Sequence, residues 1–125
     1  MNKDSDIKTL DDIKLLVNQF YGKVREDELL APVFEARIGN KWPEHLEKMY
    51  SFWQTILLEE NTYRGRPFPP HATLDIDRRH FEKWVELFKQ TIEENFEGEK
   101  AENAKWRADK MSELFQLKKG LFNIG

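Results

Sequence analysis

Apolar residues recur at three- and four-residue spacing along almost the whole chain, and no stretch alternates long enough to make a strand. That periodicity confines the 125 residues to an all-α fold. Four long segments carry it. The first spans residues 10 to 25, opened by a T-x-x-D start signal at Thr9 and Asp12, with Leu10, Ile13, Val17, Phe20 and Val24 as its stripe. Tyr21 sits at the edge of that stripe. The second runs from Trp42 to Glu59, where Pro43 is tolerable only because it falls in the first turn. On it His45, Met49, Phe52 and Ile56 fall within about 60° of each other, flanked by Trp53, so His45 should point inward. The third covers residues 77 to 96, with Asp75 or Asp77 as N-cap and a stripe of Phe81, Trp84, Val85, Phe88 and Ile92. The fourth covers residues 99 to 119, with Ala101, Ala104, Ala108, Met111 and Phe115 facing in, Lys118 and Lys119 suiting its C-terminal end and Gly120 its stop. Trp106 lies on the opposite face, open to solvent or to a partner.

Two segments interrupt the pattern. "ELLAPVFEARIG" is short and tight, because Pro32 disturbs any long helix and Gly39 ends the unit. "GRPFPPHATLD" contains Pro67, Pro69 and Pro70, which forbid a regular helix, and then presents His71. Prolines fix backbone dihedrals before folding and so lower the entropic cost of holding one side chain in place.

Composition narrows the function. The chain is long enough for one domain, residues 1 to 125, with a real core. Its net charge of −3 argues against a nucleic-acid binder. Zero cysteines exclude disulfides, thiolate zinc sites and thioether-linked haem. The start "MNKDSDIKTL" is polar, and no apolar run approaches the ~20 residues of a membrane helix, so a soluble, cytoplasmic protein is expected. Nine Phe and four Trp give more flat apolar surface than a helical core of this size needs, which suits either dense packing or a pocket for a flat apolar guest.

Hydrolytic machinery is not visible: there is no glycine-rich phosphate loop, no G-x-S-x-G elbow and no H-E-x-x-H. The three histidines therefore carry the chemistry. A lone histidine on an apolar face is more often a satisfied core residue than a ligand, and His80, at the margin of its stripe, is explained by capping or surface contact. His71 differs, since a metal ligand gains from a stiffened support. His45 and His71 are far enough apart for the two imidazoles to face each other across a cavity. Phe20, Phe34, Phe52, Phe68, Phe81 and Trp84 all come from segments able to line it, and a flat iron-bearing macrocycle fits between.

"FYGKVREDELLAPVF", "WPEHLEKMYSFW", "YRGRPFPPH" and "HFEKWVELF", in this order, resemble the truncated haemoglobins, most closely their third subgroup. The resemblance runs from Leu16 to Phe115. Gly22, Gly39, Gly65 and Gly98 stand alone, unlike the paired glycines of the other subgroups. It implies a globin-like, two-over-two helical sandwich holding non-covalent haem b, with His71 as the iron ligand. It places His45 at a distal gate, and Tyr21 and Trp84 as donors to a bound ligand. Met49 and Phe52 would line the distal side and Phe34 pack on the porphyrin; Lys48 and Arg66 are the implied propionate partners. The implied ligands are O2, NO and CO. A phenol and an indole both donate, and two donors favour slow release, which suits chemistry better than transport. Oxidation of NO to nitrate, or peroxide handling, on the same haem is the alternative; electrons would then come from a separate reductase. A haem-free helical adaptor and a non-haem iron protein are the remaining readings, and oligomeric state stays open.

Overall fold

The structure, a computed structural model, describes residues 5–59 and 77–118. Among these residues there are helices and connecting turns but no strand: α1 (Leu10–Glu26), α2 (Ala31–Ile38), α3 (Trp42–Leu58), α4 (Arg78–Asn95) and α5 (Glu99–Lys118). The expectations for Arg66, Phe68, His71, Asp75, Lys119 and Gly120 fall outside the described residues, as does the proline-rich connector.

Each helix begins where local chemistry allows. Thr9 accepts from the Asp12 N–H at 3.2 Å while the Asp12 carboxylate accepts from the Thr9 N–H at 3.1 Å, a reciprocal cap that starts α1. Asp27 accepts from the Leu29 and Leu30 N–H groups and starts the turn into α2. The "tight segment" is thus a genuine two-turn helix, because Pro32 lies in its first turn, where a missing N–H costs nothing. Asp77 caps α4 by accepting from the Arg79 N–H at 2.9 Å.

α1 packs on α3 and α4, α4 lies along α5, and α3 touches α5, so that α1 and α3 face α4 and α5 across one core. Ala101, Ala104 and Ala108 are buried on α5, and these small residues let the helices approach closely. Trp106 is 53% exposed, on the outer face as its register required.

Two features departed from the sequence reading. The N-terminal segment enters the core through Ile7, which is fully buried. Beside it, Asp6 caps α5 from outside, its carboxylate accepting from the Lys100 and Ala101 N–H groups at 2.8 and 2.9 Å. Gly98, at φ +144°, makes that approach possible, since a Cβ there would lie 2.6 Å from the Asp6 carboxyl carbon. The second departure is on α3. Its buried residues are Trp42, Phe52, Trp53 and Leu57, while His45, Met49 and Ile56 are half-buried. The core face is rotated about 60° from the expected stripe, toward Trp53 and Leu57.

Candidate functional site

Three helices meet where α1 passes the start of α3. Tyr21, 4% exposed, projects from α1 into this junction. Its ring is edge-on to Phe34 of α2 at 6.2 Å between centroids, and to His45 of α3 at 5.1 Å and 84°. Burial raises the Tyr21 pKa, because a phenolate in this apolar setting would lose its hydration. The phenol stays protonated and keeps its O–H as a donor. The imidazole of His45 has its Nε2 buried.

Phe20, the next residue on α1, links this junction to α4. Its ring stands edge-on to Tyr21 at 4.8 Å and to Trp84 at 5.5 Å and 90°. Trp84 in turn lies parallel to Phe88 at 5.7 Å, and Phe88 stacks on Trp53 at 4.8 Å. Trp53 meets Phe52 edge-on at 5.2 Å. Tyr21, Phe20, Phe34, His45 and Trp84 are therefore joined by direct ring contacts, and Phe52 is connected through Trp53 and Phe88. Phe81 is buried in the first turns of α4. Met49 is half-buried against the core, and Lys48 is exposed on α3.

His80 takes no part in this cluster. Its Nδ1 accepts the Asp77 N–H at 3.0 Å and completes the cap of α4. Capping was one of the two explanations open to it in the sequence.

Sequence reasoning missed Trp42, which had figured only as the start of a helix. Its ring is edge-on to both Tyr21, at 5.6 Å, and His45, at 5.7 Å. The available signal was an aromatic residue directly before Pro43, one turn ahead of a histidine on the same face.

The donor set and the surface suit a flat apolar guest carrying a small polar ligand. His45, Met49 and Ile56 form a half-buried strip on α3 beside the fully packed face, and a protonated phenol sits at its upper end. Among the described residues no group of three or more His, Cys, Asp or Glu is placed to hold a metal ion. No helix among them is long and apolar enough to cross a membrane.

The profile of the bacterial-like globin family matches residues 7–117. This chain is a bacterial-like globin. The globin is 38% identical over 84 residues to the group 3 truncated hemoglobin ctb of Campylobacter jejuni, an alignment spanning 64% of this chain and 66%, just under two thirds, of that relative. Its fold matches the crystal structure of the group III truncated hemoglobin from Campylobacter jejuni with a TM-score of 0.86, covering 98% of each chain at 31% identity. The third-subgroup resemblance and the all-α, two-over-two globin fold expected from the sequence both hold.

Proposed function

We propose that this globin, as one domain over residues 1 to 125, binds haem b through His71 and holds a diatomic ligand, O2 with NO and CO as competitors, on its distal side. The observation that carries the reading is the meeting of Tyr21, His45 and Phe34 at one junction, with Trp84 joined to it through Phe20. Haem, when bound, supplies an iron at which such ligands coordinate. Everything else is done by side chains of this chain. Tyr21 offers a phenol proton that burial prevents it from losing, and Trp84 offers an indole N–H. Both act by stabilising negative charge that gathers on the ligand, in surroundings from which the aromatic rings exclude water. His45, edge-on to Tyr21, stands where it gates access to that donor. Phe20, Phe34, Met49, Phe52, Phe68 and Phe81 supply apolar lining, and Lys48 and Arg66 pair with the propionates at the solvent edge.

The test is direct. Purified protein, or protein reconstituted with haemin, is expected to show a Soret band that shifts on dithionite and again on CO. A chain that takes up no haem after reconstitution ends this reading.

The same donors favour a second reading on the same scaffold. Two proton donors aimed at one ligand slow its release, which suits turnover of NO to nitrate, or of peroxide, more than delivery of O2. An external reductase must then return the electrons. Rapid consumption of NO by the oxygenated protein in stopped flow, with recovery on adding a reductase, distinguishes catalyst from carrier.

A further inference from the structure

Trp42 is held more firmly than a core residue at the first position of a helix requires. Its indole N–H donates to the Glu35 carboxylate of α2 at 3.1 Å, and the same oxygen accepts from Arg25 Nε of α1 at 3.2 Å. The Arg25 guanidinium also lies over the indole, 4.6 Å from its centroid. One carboxylate oxygen thus ties together the end of α1, the middle of α2 and the first residue of α3. The indole itself is 5% exposed, whereas the Arg25 and Glu35 side chains are 48% and 46% exposed. The inner edge of this clamped ring meets His45 at 5.7 Å and 88°, and Tyr21 at 5.6 Å and 63°.

We propose that Trp42 is a positioning residue, and that the Arg25–Trp42–Glu35 clamp sets the resting position of the His45 gate against Tyr21. The idea rests on the gate reading given above for His45. Trp42 and His45 are three residues apart, so they share one face of α3 and their side chains meet there. For the imidazole to swing out it must leave two edge contacts, one to Tyr21 and one to a ring that cannot follow it. A loosened indole removes the second restraint, while Tyr21, fixed on α1, remains. A cation over an indole and a charge-assisted hydrogen bond to the same ring restrict both its tilt and its rotation. Because the clamp is built from surface charges, it can be altered without opening the core.

The experiment uses Glu35→Ala, an exposed change that removes the acceptor shared by Trp42 and Arg25, with Glu35→Gln as the conservative variant that keeps an acceptor oxygen. Trp42→Phe supplies an independent route, keeping a ring but no N–H. Two readouts are taken. The first is the nuclear Overhauser contact between the His45 and Tyr21 rings, measured in the protein as purified and, after haem loading, in the diamagnetic CO form. The second is CO association after flash photolysis. Glu35→Ala and Trp42→Phe are expected to weaken the ring contact and speed CO association roughly two- to ten-fold, the range of one lost hydrogen bond. Glu35→Gln should stay near wild type. In a His45→Ala background, Glu35→Ala should change the rate no further, since the clamp acts through the imidazole. An unchanged His45–Tyr21 contact in Glu35→Ala overturns the proposal, and so does an equal acceleration with and without His45. Failure of the wild-type chain to take up haem would instead count against the functional reading, and the ring-contact measurement would still judge the clamp.

Discussion

Replacing Tyr21 by Phe isolates one oxygen atom at the centre of the candidate site. The ring itself should not move. It is wedged among Phe20, Phe34, Trp42 and His45, and each of those contacts is made by ring carbons that phenylalanine retains. What disappears is a phenol that burial keeps protonated. Hydrogen bonds to groups bearing charge contribute about 1.5 to 3 kcal/mol net, and neutral ones about 1, so loss of this donor should speed O2 dissociation by about 5- to 150-fold. Trp84, which meets Phe20 edge-on at 5.5 Å, is untouched by the substitution and keeps its own N–H, so the change reports the phenol O–H alone. The assay is O2 dissociation from the ferrous protein, trapped with CO in stopped flow, with thermal melting as the control for folding. An off-rate within two-fold of wild type in a variant that melts normally and keeps its Soret band would refute the assignment of Tyr21 as donor. The pH profile gives a second check. Burial raises the Tyr21 pKa above its ordinary 10.0, so the neutral donor persists as pH climbs to that value. Only above it does the unfolded chain gain by ionising the phenol, and stability is then lost as pH rises further. A wild-type off-rate that climbs between pH 7 and 9 would contradict this.

Other perturbations probe separate links. His71→Ala should lose haem or hold it weakly, while His80→Ala should keep the native spectrum and cost about 1 kcal/mol of stability as a lost cap; equal haem retention by both overturns the ligand assignment. Asp6→Ala strips two N–H groups at the start of α5 of their acceptor and should lower the urea midpoint by an amount worth about 1 to 2 kcal/mol, and an unchanged midpoint would show that Asp6 does not dock the N-terminal segment. Asp77 is held down to about 2, first by its hydrogen bond from the Arg79 side chain and then by that from the Arg79 backbone N–H. Its capping contribution is therefore present above the ordinary carboxylate range and lost as pH falls through about 2, and an NMR titration placing the Asp77 midpoint near 4 would refute that.

Much of this was legible in the sequence because the signals were local. Thr9 with Asp12, and Asp77 before Arg78, mark helix starts by side-chain-to-backbone bonds that span three residues at most, and the helices begin there. The alanine row on α5 is equally local, since its spacing alone puts Ala101, Ala104 and Ala108 on one face. What escaped depends on partners distant in the chain. Ile7 stands alone in a polar run, and its burial follows from Asp6 reaching residues 100 and 101. Trp42 is an unremarked first residue until folding brings Arg25 and Glu35 to it from two other helices. The proline-rich turn and His71 were read on sequence grounds and lie outside the described residues.

The rotation of α3 ties fold and site together. A helical wheel weighs every apolar residue on a face alike, and so it centred the stripe on His45, Met49, Phe52 and Ile56. The folded chain instead turns Trp53 and Leu57 into the core, because Trp53 can stack on Phe88 of α4 and a flat ring in that stack removes more apolar surface from water than Met49 or Ile56 would. His45, Met49 and Ile56 fall between Phe52 and Trp53 on the helical wheel and are only half covered, with Met49 and Ile56 packed against the core from its margin. The same strip carries the imidazole that meets Tyr21. On the haem-binding reading proposed above, this half-covered strip is where an apolar guest would lie, with the Tyr21 phenol and the His45 imidazole beside its polar centre.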